Sequence, residues 1–189
     1  MTPRSPATRS EVVARCRVAE RAVNDVDGHD DRFQHAVYAA ESDALPDGGR
    51  RFRRFADVER FVDAAMTELW WEEQFPDAPV SAQIHRRSRG ATFSAAYVTD
   101  DGWDAVIWIR DGSWDAVTVV HELAHVASGS WREPQRWASE PGHGPRFVAA
   151  LCELWRRHLG VHAYGALRLA LVERGVIFAH QDPVPGSSR

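Results

Sequence analysis

Apolar positions change period along the chain. Near the N-terminus, Ser10 can cap a helix over Glu11–Val23, in which Val12, Val13, Cys16 and Ala19 fall at helical spacing. The polar run Asn24–Asp31 ends it. This run lacks the spacing and closing Glu of an EF-hand loop, so it reads as a solvated turn. Gln34–Glu41 is a short apolar run that reads as a first strand, and Leu45–Arg50 is a Gly/Pro-rich loop. Asp57 then reads as the N-cap of a helix carrying Phe61, Val62, Ala65, Met66, Leu69 and Trp70 on one face and running to about Phe75.

The middle of the chain shifts to β-type segments at Val80–Arg86, Ala91–Thr99 and Trp103–Arg110, separated by the turns Ser88–Gly90 and Asp100–Gly102. They predict a small antiparallel or mixed sheet. Helical spacing resumes after Asp111-Gly112. Ser113 or Asp115 can cap a helix to about Ser128, a polar Pro/Gly-rich loop follows, and a second helix starts near Gly144-Pro145. That helix breaks at Gly160 and resumes to about Arg174, and the tail after His180 reads as frayed. The resulting division is an N-terminal extension with one helix over 1–33, one domain over 34–180 and a disordered tail over 181–189.

Composition narrows the function classes. A hydrophobic fraction of 44% over 189 residues builds a core without disulfide or metal staples, so a metal here needs a chemical reason. The formal charge of -4 gives no strong nucleic-acid signal. The short basic runs Arg50–Arg54 and His85–Arg89 read as solvated faces. The cysteines, Cys16 and Cys152, stand in no C-x-x-C pattern and read as small buried hydrophobes. The N-terminus lacks an apolar signal-peptide core and no apolar run is long enough to span a membrane, so a cytoplasmic protein is expected. The sequence leaves the oligomeric state open.

The informative segment is Val119-Val120-His121-Glu122-Leu123-Ala124-His125-Val126, an H-E-x-x-H motif within a helical pattern. Residues four apart share a helical face, so His121 and His125 can direct two imidazoles at one ion. Glu122 then reaches a water on that ion as a general base. Two histidines on an ordinary surface helix would show the same spacing. Here, however, the neighbours are apolar, and buried imidazoles and a carboxylate need a polar partner. A catalytic zinc site takes a third protein ligand. The downstream candidates are Glu133, Glu140, His143, Glu153, His158 and His162. His143, eighteen positions after His125, is favoured. Gly142 and Gly144 allow close backbone approach, and Pro145 begins a helix just behind it. Glu140 is the alternative.

The segments His121–His125 and His143-Gly144-Pro145-Arg146-Phe147 resemble the H-E-x-x-H … H-G-x-x-F/W pattern of SprT-like and minigluzincin zinc metallopeptidases. The closer similarity is to a family of actinobacterial metallohydrolases, in which a Val-Tyr-Ala-Ala-Glu type segment also stands upstream, as at Val37–Glu41 here. The resemblance implies an α+β, zincin-like fold, with a small mainly antiparallel sheet packed on the active-site helix and a following helix. It implies one Zn2+ held by His121, His125 and His143, Glu122 as catalytic base, and Phe147 packed behind the third ligand. It also implies a peptide or protein substrate laid along an edge strand, taken to be Trp103–Arg110. The activity expected is metallopeptidase cleavage. The alternatives are a zinc-stabilised interaction module and a DNA-associated SprT-like protease. The absence of a four-cysteine ribbon and of a basic tail weighs against the last of these.

Overall fold

The structure, a computed structural model, describes residues 33–98, 104–129 and 142–176. The expected helix over Glu11–Val23, the expected turns at Asn24–Asp31 and Asp100–Gly102, the residues Trp131, Glu133, Trp137 and Glu140, and the expected tail all lie outside these residues. The elements run α1 (Gln34–Ala44), α2 (Phe55–Met66), α3 (Leu69–Gln74), β1 (Ala82–Arg87), β2 (Ala95–Val98), β3 (Ala105–Arg110), α4 (Ala116–Ser128), α5 (Pro145–His158) and α6 (Val161–Glu173). This is an α+β fold.

Gln34–Glu41, expected as a strand, is the body of helix α1. Val37, Ala40 and Glu41 are its buried residues, three and four apart, which is helical and not alternating spacing. The short run carried too few turns for its period to be distinctive. Asp57, expected as the N-cap of α2, is its third helical residue; the N-cap is Arg54, whose N–H donates to the Asp57 carboxylate at 3.1 Å. The helix expected through to Phe75 is two helices. Thr67 closes α2, with its hydroxyl donating back to Asp63 O at 2.8 Å, and α3 starts afresh at Leu69.

The sheet is mixed, with strand order β1-β3-β2. β1 runs parallel to β3, pairing Ala82 with Ala105 through Arg87 with Arg110, and β2 runs antiparallel, pairing Ala95 with Trp108 and Val98 with Ala105. This corrects the mainly antiparallel expectation. It also places β3 in the centre, so Trp103–Arg110 is not the edge strand, and Trp103 lies outside the described residues. All of β3 but Arg110 is buried, which accounts for its unbroken apolar run. Trp108 is part of this buried strand and stacks near His85.

One core joins the layers. Ile107 and Ile109 from β3 meet Val119, Val120 and Leu123 from α4, Phe147, Leu151 and Leu154 from α5, and Val58, Val62 and Met66 from α2. α4 packs on α5, and α1 on α6. Gly160 has φ +92°, a left-handed conformation that separates α5 from α6 where the break was expected. At the end of α4, a Cβ on Gly129 would stand 2.9 Å from Val98 Cγ2, so α4 closes directly against edge strand β2.

Candidate metal centre

Helix α4 is capped as predicted: Asp115 Oδ1 accepts the N–H of Thr118 at 2.8 Å. Its Val119, Val120, Leu123, Ala124 and Val126 are fully buried, so the helix is core on nearly every side. His121 and Glu122 are each only 3% exposed, and His125 is partly exposed. Gly144 caps α5 with Pro145 in its first turn, which fixes His143 immediately ahead of a rigid helix. His143 is 5% exposed.

The three histidines converge. One ligand atom from each of His121, His125 and His143 lies within 4.8 Å of the others. The Nε2 atoms of His121 and His143 are 3.1 Å apart. Tetrahedral bonds of about 2.0–2.1 Å to a shared ion imply nitrogens roughly 3.3 Å apart. Phe147, 2% exposed, backs all three rings at centroid distances of 5.0, 4.4 and 4.7 Å. Tyr38 of α1 stacks on His121 at 4.8 Å and meets His143 edge-on at 5.4 Å.

Glu41 completes the surroundings. Its Oε2 lies 2.9 Å from His121 Nδ1, so the two share one proton and leave His121 Nε2 facing the other histidines. Burial pushes the Glu41 carboxyl up to about 8; Asp115 adds to the shift, and His143 and the Trp155 indole oppose it. The Trp155 indole is near enough to act on this carboxyl, but Trp155 Nε1 and Glu41 Oε1 do not meet in hydrogen-bond geometry. Burial, then the neighbouring His143, hold His121 well below the usual imidazole range, so it is neutral and free to ligate. Burial thus works against the charged form of both partners in the metal-free protein. Glu122 is also raised to about 8, by burial first and by Glu41 second, with Arg87 opposing.

These residues fit a bound cation. Two imidazole nitrogens face each other at close range in a buried site, and Glu122 Oε2 and Glu41 Oε1 are buried without hydrogen-bond partners. A divalent cation would satisfy the nitrogens and offset the buried carboxyls. Three imidazoles are a donor set suited to zinc.

The remaining candidates stand elsewhere. His158 packs edge-on against Phe61 and Trp70, His162 is exposed, and Glu153 bonds Arg156. Glu41 and Tyr38 are the site residues to which the sequence assigned no role. Their spacing, three apart in an apolar run, places them on one helical face, a signal hidden by reading that run as a strand.

An α+β domain with a mixed sheet, in which an H-E-x-x-H helix brings its two histidines against a third at the start of the following helix, has the active-site geometry of zincin-type, zinc-dependent hydrolases. No protein-family model matches the chain, and no curated protein or solved structure is significantly similar to it.

Proposed function

We propose that the protein is a zinc metallopeptidase, related to the SprT-like and minigluzincin enzymes and to the actinobacterial metallohydrolases that its motifs resemble. The observation that carries this reading is the buried cluster of His121, His125 and His143 with Glu122 beside it. His121, His125 and His143 would hold the ion, and zinc bound there would supply an acidified water and polarise a substrate carbonyl.

The chain's own residues do the rest. Glu122 follows His121 directly, and its Oε2 is unpartnered. It accepts the water's proton and returns it to the leaving amine. Its neutral-range pKa of about 8 in the metal-free protein falls beside a cation, which makes the carboxylate available near pH 7. A purely structural zinc site has no use for such a base.

The cleft of ≈ 390 Å³ at His121 and Glu122 is flanked by α1 on one side and by Thr92, Phe93 and Ser94, which lead into β2, on the other. Strand β2 is the sheet edge next to α4, so an extended peptide would add alongside β2.

The test is paired. The purified protein takes up about one equivalent of zinc, and His121→Ala or His125→Ala abolishes uptake. Glu122→Gln keeps the metal and loses peptide cleavage by about two orders of magnitude or more. Failure of the wild type to take up zinc overturns the reading. Loss of zinc in Glu122→Gln would make Glu122 a ligand or prop instead.

A further inference from the structure

The cleft that opens on His121 and Glu122 extends to Arg110, the last residue of the central strand. This guanidinium is half-buried, and among the described residues it has no carboxylate partner. Its Nε donates to Arg89 O at 3.2 Å, and its backbone N–H donates to Ser94 Oγ at 3.0 Å. Those bonds fix the root and one edge of the fork and leave the two terminal nitrogens for a ligand.

The acids nearest in sequence are engaged elsewhere. Asp111 takes a two-point contact from Arg86, at 3.0 and 2.9 Å, and Asp115 caps α4 through Thr118. A half-buried cation beside two acids, paired with neither, lies in the same cleft as the metal centre.

Resting on the peptidase reading above, we propose that Arg110 is a specificity-determining residue that binds a carboxylate of the substrate. That carboxylate is either the free C-terminus or an Asp or Glu side chain near the cleaved bond. The guanidinium presents a planar fork that matches a carboxylate at two points. Arg110, His121 and Glu122 line one cleft, so the recognised carboxylate belongs to the same bound substrate segment as the bond that is cut. The neighbouring Arg87, at the β1 position paired with Arg110, is turned to Phe93, donating to its carbonyl at 3.3 Å with its guanidinium over that ring. Arg87 therefore adds positive potential at this end of the cleft, and Arg110 makes the contact.

The experiment uses the full-length, zinc-loaded Glu122→Gln protein, which binds peptide without cutting it. Calorimetry measures acetyl-trialanine as the free acid and as the amide, and acetyl-Ala-Asp-Ala-amide against acetyl-Ala-Asn-Ala-amide. At least one acidic member binds about tenfold or more tighter than its neutral partner. The member that does so separates terminal from side-chain recognition. Adding Arg110→Gln removes the preference, whereas Arg110→Lys, which keeps the charge and loses the fork, retains part of it.

An acid preference that survives Arg110→Gln, as it would if the carboxylate bound the zinc alone, overturns the proposal. So does the absence of any preference, or of any binding, in the protein with Arg110 intact. The Lys variant decides the matter if the Gln variant does not fold: binding there indistinguishable from Arg110 refutes two-point recognition. Cleavage of peptides by wild type without acid selectivity would sink this inference and leave the peptidase reading standing. Acid-selective binding in a protein that cuts no peptide would do the reverse.

Discussion

The Glu41 carboxyl sits where it controls one imidazole. By holding His121 Nδ1 at 2.9 Å it fixes the ring's orientation and leaves Nε2 for the metal. Glu41→Gln is expected to weaken zinc affinity by about 10–100-fold, the usual cost of losing such a support. Competition with a chelator measures the affinity. Nitrogen NMR of His121 shows whether the Nδ1 proton is still held, which a purely structural role for Glu41 would not affect. An unchanged affinity and tautomer would remove Glu41 from the site. Phe147 acts differently, as the apolar backing of all three rings. Being 2% exposed, it should cost about 3–5 kcal/mol of stability when truncated to Ala, read from denaturant midpoints of the metal-free protein.

Among the helices, α5 carries two titratable groups that packing keeps neutral. His158 at its end packs on Phe61 of α2 and on Trp70 of α3. Burial lowers its pKa below 6.5, with Arg157 adding to the shift and Glu68 opposing it. The folded state therefore holds its proton less readily than the unfolded chain does. This residue's contribution is constant above pH 6.5 and declines as pH falls below it toward the folded value. The stability difference between wild type and His158→Leu should follow that course. A difference that stays flat from pH 7 to pH 5 would show His158 to be solvated. On the same helix, burial pushes the Cys152 thiol up to about 12. Iodoacetamide at pH 8 should leave Cys152 unmodified in the folded protein and alkylate it in denaturant, as peptide mass spectrometry would show.

For the molecule as a whole, the candidate metal centre is a set of polar groups enclosed by an apolar core. His121, Glu122, His143 and Glu41 are all buried, and a cation offsets their desolvation only in the folded state. Zinc at about 100 times its dissociation constant should stabilise the fold by about 2.7 kcal/mol, a rise in Tm of about 5–10 °C for a domain of this size. A chelator should reverse it, and a variant with His121→Ala, His125→Ala and His143→Ala together should show no shift. Equal shifts in the variant would place the stabilising zinc elsewhere.

The local pattern of the sequence contained much of this. Asp115, the apolar flanks of His121 and His125, and the Gly144-Pro145 start of the next helix are short-range signals, and each acts where it was read. The three clustered histidines were legible for the same reason: two lie one helical turn apart, and the third is held at the entrance of a helix. Other features depended on long-range contact. Helix α1 packs on α6, far along the chain, and its residue Glu41 reaches His121 eighty positions away. No periodicity within a short run reports such a partner. The order β1-β3-β2 likewise follows from which strands the helices cover, so it took the tertiary structure to make β3 the centre and β2 the edge. The same holds for Arg110. In the sequence it is one arginine among 23 basic residues, and only the fold sets it in the cleft with Asp111 and Asp115 engaged elsewhere. Chain-local geometry is fixed by backbone sterics and hydrogen bonding within a few residues, whereas a cleft is made by surfaces that meet only after the core has formed.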